Sequence, residues 1–222
     1  MKKLFLFTIF SVFTFSEYKI EKNQVFYYEN DHLVLLDYAD ARSFIILDNN
    51  YAKDENGGYF LSKRLENSDS KSFEKLEFPY SKDKNRVYYW KSEIEESDPI
   101  SFEVLKDLFS KDKNKAYFAG KVMTGVDSDS FEVLNSIYTK DKRRVYYFEF
   151  EITESDPNSF ETLGYGYSKD KFRVYYRGEK LEGSDSDTFI VYEEDKYLNN
   201  GSAYDSEDRN YYYNCGELIK KK

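Results

Sequence analysis

The sequence predicts an all-β repeat protein: an elongated array, or solenoid, of about six 29-residue β-hairpin units with a terminal half-unit. Two observations predict it. The first is the recurrence of Ser/Thr-Phe at Ser43-Phe44, Ser72-Phe73, Ser101-Phe102, Ser130-Phe131, Ser159-Phe160 and Thr188-Phe189, every 29 residues. An aspartate stands three residues before each Ser or Thr, from Asp40 to Asp185, and a second series (Asp54, Asp83, Asp112, Asp141, Asp170) keeps the same period. Fixed-period self-similarity over roughly 20–50 residues is the signature of stacked supersecondary units. The second observation is composition. There are 23 Tyr and 19 Phe, and such rings pack well on half-buried pleated surfaces. Only 3 Pro and 10 Gly are present, which argues against a flexible low-complexity chain.

Each element has a local reason. Val87-Tyr88-Tyr89-Trp90 and its equivalents at 116–119, 145–148 and 174–177 read as one strand. A second runs from Phe102 through Leu105 toward Phe109. The turn Lys82-Asp83-Lys84-Asn85 is expected to join the second strand of one unit to the first strand of the next. Asp accepts a backbone N–H two residues on, and Asn tolerates left-handed backbone. Asp98-Pro99-Ile100-Ser101 predicts a single helical or 3-10 turn, with Asp as N-cap and Pro at the first position. It is too short for a stable helix.

Three apolar ladders share the period: Leu47, Leu76, Leu105, Leu134, Leu163 and Tyr192; Tyr51, Tyr80, Phe109, Tyr138 and Tyr167; Leu65, Ile94, Met123, Ile152 and Leu181. With the Ser/Thr-Phe ring, each unit has four such side chains. A lone hairpin cannot bury them, but stacked units can. A closed propeller is the rival, although 29 residues is short for a blade of about 40.

The units are expected near 18–50, 51–79, 80–108, 109–137, 138–166 and 167–195, with a terminal fragment at 196–222. The first has a four-residue insertion, and nine residues are inserted before Asp208-Arg-Asn-Tyr-Tyr-Tyr213. Atypical end units cap a stack. Residues 17–222 are read as a single repeat domain. Before them, Met1-Lys2-Lys3 and the apolar run Leu4–Phe15 match a secretory signal at 1–16, and the run is shorter than the about 20 residues of a membrane span. Export to the periplasm, cell surface or medium is therefore expected, with no stable membrane span once the signal is cleaved. An uncleaved anchor and a buried strand are the alternatives for this segment. Cys215 is the one cysteine, so no intrachain disulfide is available.

The element Lys-Asp-Lys-Asn-x-Val-Tyr-Tyr followed by Asp-Pro-x-Ser-Phe-x-x-Leu resembles the bacterial DKNYY family. The resemblance extends from about Tyr18 to Leu218, and the copies at Asp83, Asp112, Asp141 and Asp170 match closely. The copy at Asp54 departs from it with Glu-Asn-Gly-Gly, as does Lys-Phe-Arg at 171–173. The family implies a repeat protein, often exported, of unknown biochemical role, with no catalytic residue to carry over.

Chemistry-bearing patterns are sparse. His32 is the only histidine and has no paired nucleophile, so it reads as an exposed structural residue. Gly164-Tyr-Gly166 lacks the rest of a phosphate cradle. Asp127-Ser-Asp129 and Asp185-Ser-Asp187 could approach a calcium ion, yet a calcium loop needs more oxygens, and N-capping accounts for every copy. Glu93, Glu95 and Glu96 could suggest an acid/base pair but read as a charged strand edge. No catalytic residue, metal or cofactor is expected.

The tyrosine pairs are the best candidates. Consecutive strand residues point to opposite faces, so one ring of each pair should enter the core and the other face outward. The outward set is expected to be Tyr89, Phe118, Tyr147 and Tyr176, a ladder able to stack on sugars or grip an extended peptide. The plainer reading is that these rings pair across strands and stabilise the sheet. The net charge of −9 argues against nucleic acid. The function expected is a non-enzymatic scaffold whose partner is an unknown macromolecule, a protein or an envelope glycan. A glycan-binding module is the alternative, and an envelope-polymer hydrolase a weaker one.

Overall fold

A computed structural model describes residues 17–29 and 32–222. The expected signal at 1–16 lies outside the described residues. The protein is an all-β repeat of seven small antiparallel sheets, one of three strands and six of four. The first contains Glu17–Glu21, Gln24–Glu29 and His32–Leu35. The others are meanders with their strands in sequence order, as in Glu132–Val133, Tyr138–Lys140, Val145–Tyr147 and Phe150–Glu151. The chain divides into two compact units, Met1–Glu95 and Glu96–Lys222. Three sheets belong to the first and four to the second.

The expected hairpin is the middle of each meander. The aspartate turn lies inside a sheet, between Tyr138–Lys140 and Val145–Tyr147, not between units as the sequence reading placed it. In the four sheets from Ile45–Ile46 to Phe150–Glu151 a two-residue strand is added on each side, as with Glu132 opposite Lys140 and Phe150 opposite Tyr147. Two residues are too few to show a period of two, which is why the sequence reading counted two strands per unit and not four. Among the described residues the one 3-10 turn is Ser128–Ser130, N-capped by Asp127. The corresponding connections elsewhere are turns with the same aspartate bonds.

Both faces of the central strands are covered. Tyr146 packs with Phe109, Ala116, Met123 and Phe131 of the preceding sheet and its connection. Val145, one residue earlier, packs on the other side with Phe160 and Tyr175 of the following repeat. This is the stacking that a repeat with four apolar ladders requires. Phe102 and Phe131 are buried as expected, and so are the ladder Tyr51, Tyr80, Phe109, Tyr138, Tyr167 and the ladder Leu65, Ile94, Met123, Ile152, whose last member Leu181 is only half-buried. Leu105 and Leu134, expected in the core, are only half-buried. They follow the short first strand and close a tight loop, Leu134 N–H donating to Tyr138 O at 3.0 Å, so their side chains sit at the sheet margin. A ladder not anticipated is Val87, Ala116, Val145 and Val174, all fully buried.

The residue after each tyrosine-pair position has positive φ: Leu61, Trp90, Ala119, Phe148, Arg177 and Cys215. Such turns match the right-handed twist of the strands they join. Another left-handed site repeats between sheets at Asn67, Glu96, Gly125, Glu154 and Gly183. Two of the five copies already use glycine there. Glu154→Gly should therefore stabilise the protein by about 0.5–1 kcal/mol, relief of the left-handed Cβ clash outweighing added freedom in the unfolded chain. The Glu154–Arg173 ion pair it removes is exposed and worth little, and Arg173 keeps its bond to the backbone carbonyl. A urea midpoint that rises with unchanged slope is the expected readout.

Candidate functional site

The structure divides each tyrosine pair. Tyr88, Tyr117, Tyr146 and Tyr175 are buried, whereas Tyr89, Phe118, Tyr147 and Tyr176 are half-buried. The second set does not stand on a free outer face. Parity puts Tyr147 on the same face as Val145, which is covered by the following repeat. Each ring packs on the aromatic residue opposite it in the middle hairpin: Tyr89 on Tyr80, Phe118 on Phe109, Tyr147 on Tyr138, Tyr176 on Tyr167, with centroids 4.8–5.4 Å apart. The next turn then leans on it. Phe148 lies 5.2 Å from Phe118, and Phe60 contacts Trp90 in the same way at 6.2 Å. Gly178 and Gly216 come so close to Tyr147 and Tyr176 that a Cβ would overlap the ring residues, at 2.8 and 2.4 Å. The ladder therefore offers a margin of each ring, not a face.

The first ring of each pair serves a buried carboxylate. Asp141 Oδ1 accepts from Arg143 N (2.7 Å) and Arg144 N (2.8 Å). Its Oδ2 accepts from Tyr146 Oη (3.0 Å) and from Asp127 N in the preceding connection (2.9 Å). The same four-donor set surrounds Asp112 and Asp170, and recurs at Asp54, Asp83 and Asp208. Burial works to raise Asp112 and Asp141, but these hydrogen bonds outweigh it and hold both below the ordinary carboxylate value. Burial is also the main cause that pushes the Tyr146 hydroxyl up to about 12.

The Ser/Thr of Ser/Thr-Phe links the two aspartate series. Ser130 Oγ donates to Asp127 Oδ1 (2.7 Å) and accepts from Lys142 N (3.1 Å). Asp127 Oδ2 meets Lys142 Nζ at 2.9 Å. Asp69–Lys84, Asp98–Lys113, Asp156–Lys171 and Asp185–Arg209 repeat this ion pair. The carboxylate oxygens of Asp127 are thus already engaged, and no cluster of three or more His, Cys, Asp or Glu able to hold a metal occurs among the described residues.

Lysine hydrogen bonds, with those from the serine, lower Asp69, Asp98 and Asp127 to about 2. At Asp156 the Ser159 hydroxyl is the larger cause and Lys171 the second. A carboxyl depressed in the folded state stabilises above its unfolded value of 3.8 and loses that contribution as pH falls through the folded value. Melting temperature should therefore fall steeply as pH drops from about 4 to about 2 and hold level between about pH 5 and about pH 9, below the range in which the raised tyrosine hydroxyls begin to titrate in the unfolded chain. A calorimetric series across that window checks it.

The other sequence candidates are dispersed. His32 is exposed on the last strand of the first sheet, and Glu93 is held by Arg86 at 3.1 Å. Cys215 is exposed in a turn. A cleft beside Lys63–Arg64 was not legible in the sequence, because all of its lining residues except the buried Tyr88 occupy exposed positions outside the repeated motif.

The family model for the DKNYY family matches residues 2–92 and 80–217, the span in which the aspartate hub, the paired rings and the Ser-Phe connection repeat. The chain belongs to the DKNYY family. No curated protein and no solved structure matches it. In this DKNYY protein the residues of the family motif are framework: the aspartate closes the turn, the first tyrosine ties to it, and the second tyrosine receives the next repeat.

Proposed function

We propose that this DKNYY protein is a non-enzymatic, exported repeat scaffold that binds another macromolecule. One observation supports this reading above the others. The repeated polar residues are engaged in the framework, while exposed positions on the fourth strand change from copy to copy: Lys63-Arg64, Ser92-Glu93, Lys121-Val122, Phe150-Glu151, Glu179-Lys180. A constant frame with variable side chains at one register position is how stacked repeats build binding surfaces. Export rests on the signal-like first sixteen residues.

A glycan-binding reading is favoured by Trp90, which is 49% exposed and stacked beside Tyr89 with centroids 6.0 Å apart. A hydrolase reading would require free paired carboxylates in a cleft, and Glu93 is engaged with Arg86. The test is a pull-down from the native envelope fraction with the intact chain as bait, together with a glycan array. Alanine at Trp90, Tyr89, Tyr147 and Tyr176 in turn should weaken glycan capture stepwise if the rings bind sugar. Because Tyr89, Tyr147 and Tyr176 are half-buried, each variant's melting temperature must be followed. Recovery of no partner above a scrambled-surface control would sink the scaffold reading.

A further inference from the structure

We propose that the cleft along the strand Lys63–Arg64 binds an anionic polysaccharide, one bearing carboxylates on its sugar rings. The proposal rests on the scaffold reading and names the partner class. The cleft, of about 380 Å³, lies between the exposed strands Lys63–Arg64 and Ser92–Glu93 of successive sheets. A second, of about 520 Å³, shares Lys63, Arg64, Glu66 and Asn67 with it and reaches Tyr38. The short strand thus serves two adjoining troughs.

The charge of this lining opposes that of the whole chain. Lys63, Arg64 and Lys91 converge on the cleft in a protein of net charge −9. Neither Lys63 nor Lys91 forms an ion pair or side-chain hydrogen bond among the described residues, whereas lysines elsewhere, such as Lys84, Lys142 and Lys171, are paired. The acids there are fewer: Glu93 is neutralised by Arg86, leaving Glu66. The fold does not demand cations at this position. The corresponding cleft between Phe150–Glu151 and Glu179–Lys180 is lined by Glu179 and by Glu151, which Arg144 holds at 3.2 Å as Arg86 holds Glu93, with Arg177 as its one cation.

The second trough supplies a flat surface. Tyr38 is 42% exposed, its ring parallel to Tyr59 at 6.0 Å, and its hydroxyl donates to the Ser62 carbonyl. A ring fixed in that way can stack on a sugar, while Lys63 and Lys91 meet carboxylates and Asn67 and Glu66 meet hydroxyls. An acidic peptide is the less favoured occupant. Peptides that add to a sheet edge rely on a row of main-chain bonds, and this edge strand has two residues.

The experiment is isothermal titration of the intact chain with polygalacturonate, dextran and polyglutamate at low and high salt. Polygalacturonate should bind, weaken with salt as an exposed charge contact does, and exceed both other polymers. The Lys63→Glu/Lys91→Glu double variant should lose about tenfold or more in affinity, the loss of one or two charged hydrogen bonds, at unchanged melting temperature. Tyr38→Ala should weaken binding to polygalacturonate without altering its salt dependence. No binding, equal binding by the double variant, or a preference for polyglutamate would overturn the proposal. If envelope pull-down still recovers a partner from the double variant, only the cleft assignment fails; if native protein recovers none, the scaffold reading fails with it.

Discussion

Asp141→Ala is expected to cost about 3–5 kcal/mol, since each buried donor left unsatisfied costs about 1–3 kcal/mol. Four donors lose their acceptor. Arg143 N and Arg144 N belong to a turn whose side chains reach solvent, so water can replace part of their bonding. Tyr146 Oη and Asp127 N cannot be served as readily, because Tyr146 is buried and its hydroxyl bond to Asp141 is enclosed. The Asp127 bond also fastens the connection to the turn that follows it, so its loss loosens one sheet from the next. Hydrogen exchange should therefore accelerate first in the strands Tyr138–Lys140 and Val145–Tyr147, before global unfolding, as expected of an array whose repeats contact mainly their neighbours. Asp141→Asn keeps one acceptor oxygen and should cost less. A loss under about 1 kcal/mol for the alanine variant would show that water enters the hub freely.

Phe131→Ala is expected to destabilise by about 3–5 kcal/mol, the usual cost of emptying a buried aromatic site. The ring is 6% exposed and lies 6.3 Å from Phe109 in an edge-on arrangement. It fills the space between one sheet and the next, among Ala116, Met123 and Tyr146. Collapse into the cavity is limited on two sides, since Ala116 is already small and Tyr146 is held by Asp141. Chemical denaturation measures the loss directly, and an unchanged midpoint would contradict the packing. The two variants share Tyr146, so their combined effect should be less than additive.

The legible part of this protein was whatever repeats. The Ser-Phe period placed Phe102 and Phe131 in the core, and Asp127 as an N-cap followed from the known chemistry of its position. The β class followed from aromatic composition together with the fixed 29-residue period. Less legible were the two-residue outer strands. One or two pairings such as Glu132 opposite Lys140 leave no alternation to detect, and the strand exists because the hairpin beside it offers free backbone groups. The buried Val87, Ala116, Val145 and Val174 ladder was in view, but a valine next to two tyrosines reads equally as an outer-face residue until both faces are known to be covered.

The candidate rings show the same division. Parity alone separates Tyr146 from Tyr147, and the sequence by itself determined that each pair would be split and that the same member would be buried in every copy. Which member, and what covers the other, only the stacking decided. Tyr146 turns back toward Phe131 and donates to Asp141, while Tyr147 lies forward against Tyr138 and under the turn at Gly178. Strand alternation is a property of one chain segment and can be read from its residues. Burial on both faces is a property of neighbours 29 residues away on either side, and the meeting of Lys63 with Lys91 across a cleft likewise depends on the adjoining repeat. Those contacts depend on how sheets settle on one another, a sum of many small packing terms that no single repeat encodes.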